Sequence, residues 1–362
     1  MSGGGLEQAA QGCLIEVLNM SLTASVMILA VLAARMFLKR APRLFSYALW
    51  AVVLFRLLCP VSFSAPLSLL GVLQNEASAE GRMEYIPADI GYQMEPKVQL
   101  PAQSLNQDVD EAVNGVLPPG SPQTSVNPLQ IILYIAVRIW ILGMGILLLY
   151  SGVSLVRLRK RLKTAVWERD RIYRLKERCT PFVFGIFRPR IYLPEDLGAR
   201  EERYILLHEE IHIRRRDPLF RALAWLALCL HWFNPLVWAA FHISGRDMEM
   251  ACDEAVLQKL GLSVKKEYSA SLLSFASGQR GFQGMPLAFG ESDTGSRIRN
   301  VLRYRKPKKL LSVVGVILCG VLALWLLANP ADDTQAASSG IAGSLAVSGM
   351  DEELVRQWLV EP

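Results

Sequence analysis

The chain has little histidine, 4 residues in 362, and none of the cysteine spacings that build metal knots or disulfide frameworks. Its six cysteines, Cys13, Cys59, Cys179, Cys229, Cys252 and Cys319, form no C-x-x-C pair and mostly lie in apolar runs. That argues against a disulfide framework or a thiolate zinc site and reads them as small buried hydrophobes. Residues 1–12 hold Glu7 but no Lys or Arg, so the basic start of a signal peptide is missing. The first apolar run is therefore expected to be retained. The apolar runs also lack paired charges and matching helix breaks, which argues against a transporter. Arg56 and Arg138 are their isolated charges, read as snorkelling or bundle contacts with no assigned role.

What is present is apolar but not uniformly so. The chain is 52% hydrophobic with a mean hydropathy of +0.26, yet 20% of it is charged. A soluble domain is less apolar and a bare helix bundle less charged, so spans plus one water-facing domain fit best. Four runs reach the roughly 20 apolar residues that cross a bilayer, at 14–38, 44–70, 128–151 and 310–328.

The basic residues set an orientation. Of 39 Lys and Arg, 30 lie between Arg157 and Lys309, a block that reads as the cytoplasmic side of a membrane protein; nucleic acid is not expected as a partner. Lys39, Arg40 and Arg43 separate the first two runs, and Arg305, Lys306, Lys308 and Lys309 precede the fourth. The 71–127 loop instead carries eight acidic residues against Arg82 and Lys97, and six prolines that make it irregular. The expected organisation is two transmembrane helices in 1–70, an extracellular loop at 71–127, and a third transmembrane helix at 128–151. A cytoplasmic domain at 152–309, a fourth transmembrane helix at 310–328 and a short extracellular tail at 329–362 follow.

Two of the four histidines fall in His208-Glu209-Glu210-Ile211-His212. Residues 199–216 read as a helix, with Glu201 and Glu202 near its start, Arg214 to Arg216 at its end and Pro218 just beyond. On a helix, positions i and i+4 share a face, so His208 and His212 can hold one Zn²⁺ with Glu209 beside the metal-bound water as general base. A catalytic zinc needs a third protein ligand and an open position. No histidine is suitably spaced after His212, because His231 and His242 lie in an apolar stretch. Residues 244–260, stopped by Gly261, read as a second helix with Glu249 and Asp253 on one face. Glu249 is taken as the third ligand and Asp253 as the group orienting a ligand histidine.

The apolar stretch 219–243 between these helices is long enough for a fifth span. A straight helix of that length would run about 37 Å and carry His212 and Glu249 to opposite sides of the membrane. The break at Asn234-Pro235 predicts two shorter helices that fold back, in the domain core or dipping into the cytoplasmic leaflet. Residues 182–193, around Gly185 and Pro189, read as a β-hairpin that either holds an extended peptide by strand addition or only covers the core.

These residues together resemble a known family. Thr180-Pro181-Phe182-Val183-Phe184-Gly185, Pro189-Arg190-Ile191-Tyr192-Leu193-Pro194, the His208–His212 motif, Asn234-Pro235 and the segment from Arg246 to Asp253 occur in the order and spacing of the antirepressor membrane metallopeptidases. Their best-known members are the beta-lactam sensor-transducers of Gram-positive bacteria. The resemblance covers about residues 14–328. It implies a mainly α fold: a four-helix transmembrane bundle with a cytoplasmic, mostly helical, gluzincin-like zinc protease domain that contains the short β-hairpin. It implies zinc held by the two motif histidines and Glu249. It also implies a cytoplasmic protein substrate, such as a winged-helix repressor, and self-cleavage before the last span, for which residues 277–300 are the accessible stretch. About 34 residues follow Ala328, too few for the penicillin-binding domain of the sensor-transducers, so a beta-lactam sensing role is not expected. The remaining partners are membrane lipid and, left open, a second copy in a homodimer. The competing reading is a non-proteolytic membrane signalling or scaffold protein that keeps the fold.

Overall fold

The computed structural model describes residues 3–38, 41–59, 63–64, 86, 128–176, 179–195, 197–278, 294–307 and 309–329. The expectations for the 71–127 loop (Ile86 apart), for the tail after 329 and for the 279–293 part of the self-cleavage stretch fall outside them.

The protein is mainly helical with a small sheet. Helix α1 (Gly3–Phe37) covers the first apolar run. Helix α2 (Arg43–Leu58) covers only the front of the second. Cys59 is extended (φ −123°, ψ 115°), the conformation a following proline imposes, so Pro60 ends the helix well before residue 70. At 1.5 Å per residue α2 is about 24 Å long, short of the roughly 30 Å of a hydrocarbon layer. Helix α3 (Pro128–Leu162) runs on past 151 through its basic last turns. Among the described residues, two helices are long and apolar enough to cross a membrane, Gly5–Phe37 and Leu129–Leu162.

After α3 the chain forms strands β2 (Val166–Arg169), β3 (Ile172–Leu175), β4 (Phe182–Phe184) and β5 (Arg190–Pro194), in the order β2-β3-β5-β4. The expected hairpin is present as the antiparallel β4–β5 pair, with Val183 opposite Ile191. It is half of a larger sheet, because β5 also pairs in parallel with β3. Gly185 turns the hairpin at φ +109°, and a Cβ there would lie 2.7 Å from the Arg188 carbonyl oxygen. A two-residue strand β1 (Phe63–Ser64) pairs with β6 (Ala328–Asn329), just after the final helix.

Five helices complete the frame. These are α4 (Ala199–Arg215), α5 (Asp217–Leu230), α6 (Pro235–Leu260), α7 (Lys265–Gly278) and α8 (Thr294–Arg303), followed by the apolar α9 (Lys309–Leu327). The 219–243 stretch is broken as expected, with α5 ending at Leu230 and α6 starting at Pro235. Asn234 caps α6 by accepting from the Leu236 N–H at 2.9 Å. The resulting helical hairpin is buried against α1 and α2: Met27, Ile28, Leu49, Trp50, Leu228 and Val237 share one core. Its tip is pinned by Asn234 Nδ2 donating to Ser21 Oγ at 2.8 Å and by His231 Nε2 at 3.0 Å from the Leu57 carbonyl. A second core joins α4, α6, α7 and α8 through Ile211, Cys252, Val256, Tyr268 and Val301. The sheet packs on α4 through Ile172, Ile191, Leu193 and Ile205.

Candidate metal centre

Helix α4 faces the sheet with Ile205 and faces α6 with Ile211, which leaves His208 and His212 turned toward α6. Helix α6 answers with Glu249, Cys252 and Asp253, all buried where it crosses α4. The two imidazole Nε2 atoms are 3.1 Å apart. Glu249 Oε2 lies 3.4 Å from His208 Nε2 and 3.7 Å from His212 Nε2. Donors on a tetrahedral zinc with bonds of about 2.0–2.1 Å stand about 3.3 Å apart, so this triangle has the dimensions of one face of that tetrahedron.

The remaining ring nitrogens are each held by a carboxylate system. His212 Nδ1 lies 2.7 Å from Asp217 Oδ2. His208 Nδ1 is 3.0 Å from the Tyr268 hydroxyl, which donates to Asp253 Oδ1 at 2.7 Å, and Asp253 itself is 3.4 Å from that nitrogen. Support of the distal nitrogen fixes tautomer and ring orientation and leaves both Nε2 lone pairs facing the triangle. Arg297 on α8 closes the cluster, 3.3 Å from Glu249 Oε2 and bidentate to Asp253.

Glu209 is buried next to His208. Among the described residues no hydrogen bond or ion pair engages its carboxylate, whereas Glu249, Asp253 and Asp217 are all committed.

The charges packed around the triangle shift its titrating groups strongly. Burial pulls the His208 imidazole down, but Cys252 and Glu249 outweigh it and push it up to about 10. His212 is likewise raised, with Cys252, Glu249 and Asp217 overcoming its burial. Burial works to raise the Glu249 carboxyl, and Arg297 and the two histidines drive it far below the usual range instead. The same acidic groups that raise the two imidazoles would favour a divalent ion between them.

A second donor set shares the histidines. The Cys252 Sγ and the two imidazoles offer ligand atoms within 4.8 Å of one another, so the reading of every cysteine as an inert hydrophobe fails at this one position. In the carboxylate triangle no donor separation exceeds 3.7 Å. The thiol also points at the His208 carbonyl oxygen, 3.3 Å away.

Asp217, Tyr268, Arg297 and Cys252 were not singled out in the sequence as site residues. Asp217 had a usable signal, an acid at the junction of two helices five positions after His212. Tyr268 and Arg297 lie 60 and 89 positions beyond His208 and carry no local signature. Beside Glu249 and Arg297 a cavity of about 350 Å³ opens between α5 and α6, with Phe220, Ala224 and Phe241 on its apolar wall.

A family model described as the BlaR1 peptidase M56 matches residues 15–301, which spans both the apolar helices and the donor cluster. The chain belongs to this family. Among curated relatives, the regulatory protein BlaR1 of Bacillus licheniformis is 29% identical over 229 residues, covering 52% of this chain and 38% of that protein. The methicillin resistance mecR1 protein of Staphylococcus aureus strain Mu50 is 24% identical over 346 residues, covering 86% of this chain and 56% of that protein. The M56 chain described here thus spans about half the length, or less, of these relatives. Membership of a metallopeptidase family agrees with the donor triangle, whose residues lie within the matched region.

Proposed function

We propose that the protein is an integral-membrane zinc endopeptidase that cleaves a cytoplasmic regulatory protein, such as a winged-helix repressor, or itself, in signal transduction. The observation that carries this reading is the donor triangle of His208, His212 and Glu249, sized for one zinc face, with Glu209 buried next in sequence to His208. In this reading His208, His212 and Glu249 hold the ion, and Asp253 and Asp217 orient the histidines. When bound, zinc polarises the scissile carbonyl and brings the pKa of its water toward about 7. Glu209 would take a proton from the attacking water and pass it to the leaving amine. Strand β4 is an outer strand of the sheet beside α4, so an extended substrate can add to it and present its backbone to the site.

The membrane arrangement is proposed on the same footing. In this reading the spans are α1, the 44–70 run that opens with α2, α3 and α9, with residues 152–309 in the cytoplasm as a gluzincin-like domain and 71–127 and the tail outside. The exposed apolar side chains of α3, Leu142 and Leu149 among them, suit a lipid-facing helix. The α5–α6 hairpin packs among the spans from the cytoplasmic side.

One observation favours a second reading. Were Cys252 to join the two histidines and Glu249, the metal would have four protein ligands and no open position, as in a structural site on a scaffold protein. Purified full-length protein with zinc, co-expressed with a candidate repressor, is to be compared with Glu209→Gln. Fragments made by the first and absent from the second support the protease. Identical fragment patterns overturn it.

A further inference from the structure

We infer that Tyr47, on α2, is a positioning residue for the metal centre that acts on His212 through Asp217. The inference rests on the metal site proposed above and adds to it a support located in one of the proposed spans.

The chain reverses direction between α4 and α5 in a single residue. Arg216 adopts the left-handed conformation (φ 59°, ψ 32°), and Asp217 opens the next helix directly. This turn brings Asp217 back under the last turn of α4, where Oδ2 meets His212 Nδ1 at 2.7 Å. The other oxygen, Oδ1, accepts from the Tyr47 hydroxyl at 2.9 Å. Asp217 is 2% exposed, so water has almost no access to replace either partner. Arg215 Nε stands 3.5 Å from Oδ1, and its guanidinium lies 4.7 Å above the Tyr47 ring. Phe220 meets that ring edge-on at 5.0 Å. Tyr47 is therefore packed against both Arg215 and Phe220 and cannot swing away without unpacking the α4–α5 junction.

A carboxylate with one oxygen on an imidazole and the other unpaired can rotate, and the ring it holds rotates with it. Fixing both oxygens fixes the direction of the His212 Nε2 lone pair, which is what a ligand nitrogen needs. Helix α2 is also tied to α6, the helix that carries Glu249. Trp50 Nε1 donates to Asp247 Oδ2 at 2.9 Å, and the Arg43 N–H donates to Glu254 Oε2 at 2.9 Å. One helix of the apolar bundle thus braces both sides of the donor triangle. A shift of α2 would reach the donor triangle through short relays, Tyr47 to Asp217 to His212 on one side and Trp50 to Asp247, on the helix that carries Glu249, on the other.

The test uses full-length protein in nanodiscs and two conservative variants. Tyr47→Phe keeps the ring on Phe220 and Arg215 and removes only the hydroxyl. Asp217→Asn keeps the shape and removes the charge. Zinc affinity is read by competition with a chelating dye, and ligand geometry by the visible absorption of the Co²⁺-substituted protein. Asp217→Asn is expected to weaken binding by about 10- to 100-fold, as loss of a direct partner of a ligand histidine does. Tyr47→Phe should weaken it about three- to tenfold and shift the cobalt bands. In the double variant the hydroxyl should no longer matter, because one pathway carries both effects. Wild-type affinity and cobalt spectrum in Tyr47→Phe, or losses that add in the double variant, would overturn the inference. Zinc bound with these responses but no proteolysis would leave it standing and remove the proposed activity instead. A wild-type protein that binds no zinc would remove both.

Discussion

Arg297 on α8 grips Asp253 on α6 with two hydrogen bonds, 2.9 Å from Nε to Oδ2 and 2.8 Å from Nη2 to Oδ1, while its third nitrogen stands 3.3 Å from Glu249. The pair is almost fully withdrawn from water, with side-chain exposures of 13% and 0%. Burial disfavours the guanidinium, yet Asp253 and Glu249 hold it charged. Removing one member of such a pair strands the other charge and costs about 3–5 kcal/mol. Arg297→Ala should therefore lose stability of that order in chemical denaturation and lose zinc affinity with it. Arg297→Lys keeps the charge but not the fork, and should fall between. A loss below about 1 kcal/mol in Arg297→Ala would mean that α8 is a bystander.

Zinc binding is predicted to release protons. Without metal, His208 is raised from 6.5 to about 10, and His212 is raised as well. A ligand imidazole must be neutral, so near pH 7.5 the ion has to displace what these rings carry. The sign for the metal-free protein follows from the same shift. A group whose folded pKa is raised contributes stability that is fully present below about 6.5 and lost as pH rises through about 10. Metal-free protein should thus lose stability across that window, and zinc affinity should climb across it. Titration calorimetry in buffers of different ionisation enthalpy measures the released protons directly; equal heats in all buffers would contradict the prediction.

The left-handed Arg216 stores strain that the site needs. A non-glycine residue in this conformation costs about 1–2 kcal/mol, and its side chain here is exposed, so little packing offsets that cost. Arg216→Gly should stabilise the protein by about 0.5–1 kcal/mol and leave zinc affinity unchanged. Arg216→Val should destabilise it and weaken zinc binding, because a β-branched residue resists the turn that delivers Asp217. Thermal unfolding and dye competition on the two variants separate these effects. Equal melting temperatures for both would show that the turn is unstrained.

The parts of this architecture that could be read in the sequence are those set by one helix or one local break. His208 and His212 share a face because four residues make about one turn, and Glu249 with Asp253 repeats the pattern on α6. Asn234-Pro235 announced the fold-back of the 219–243 stretch because proline cannot continue a helix there. The rest depends on contacts between distant segments. Strand β2 is four exposed residues with no alternation to betray it, and its neighbour β3 finds its parallel partner only in β5. Tyr268, Arg297 and Tyr47 enter the site because helices from three parts of the chain converge on α4 and α5. The end of α2 at Leu58 is the opposite case, since Pro60 was visible in the sequence but hydropathy alone carried the run to residue 70.

Cys252 decides between an open and a closed metal. It sits three residues after Glu249 on the same helix, and burial, which would raise its thiol, is overcome by His208 and His212, which lower it. A zinc-bound thiolate shows a metal–sulfur distance of about 2.3 Å, well separated from the 2.0–2.2 Å of nitrogen and oxygen donors. X-ray absorption on the zinc-loaded protein is expected to show only the shorter shell, because Glu249 stands within 3.7 Å of both imidazole nitrogens and the Cys252 sulfur has a partner in the His208 carbonyl, 3.3 Å away. Cys252→Ser should then bind zinc within about threefold of wild type and retain cleavage, whereas Glu249→Gln, which removes the carboxylate charge from the triangle, should lose both. A sulfur shell in the wild type, vanishing in Cys252→Ser together with most of the zinc affinity, would establish the four-ligand site and shift the reading from protease to scaffold.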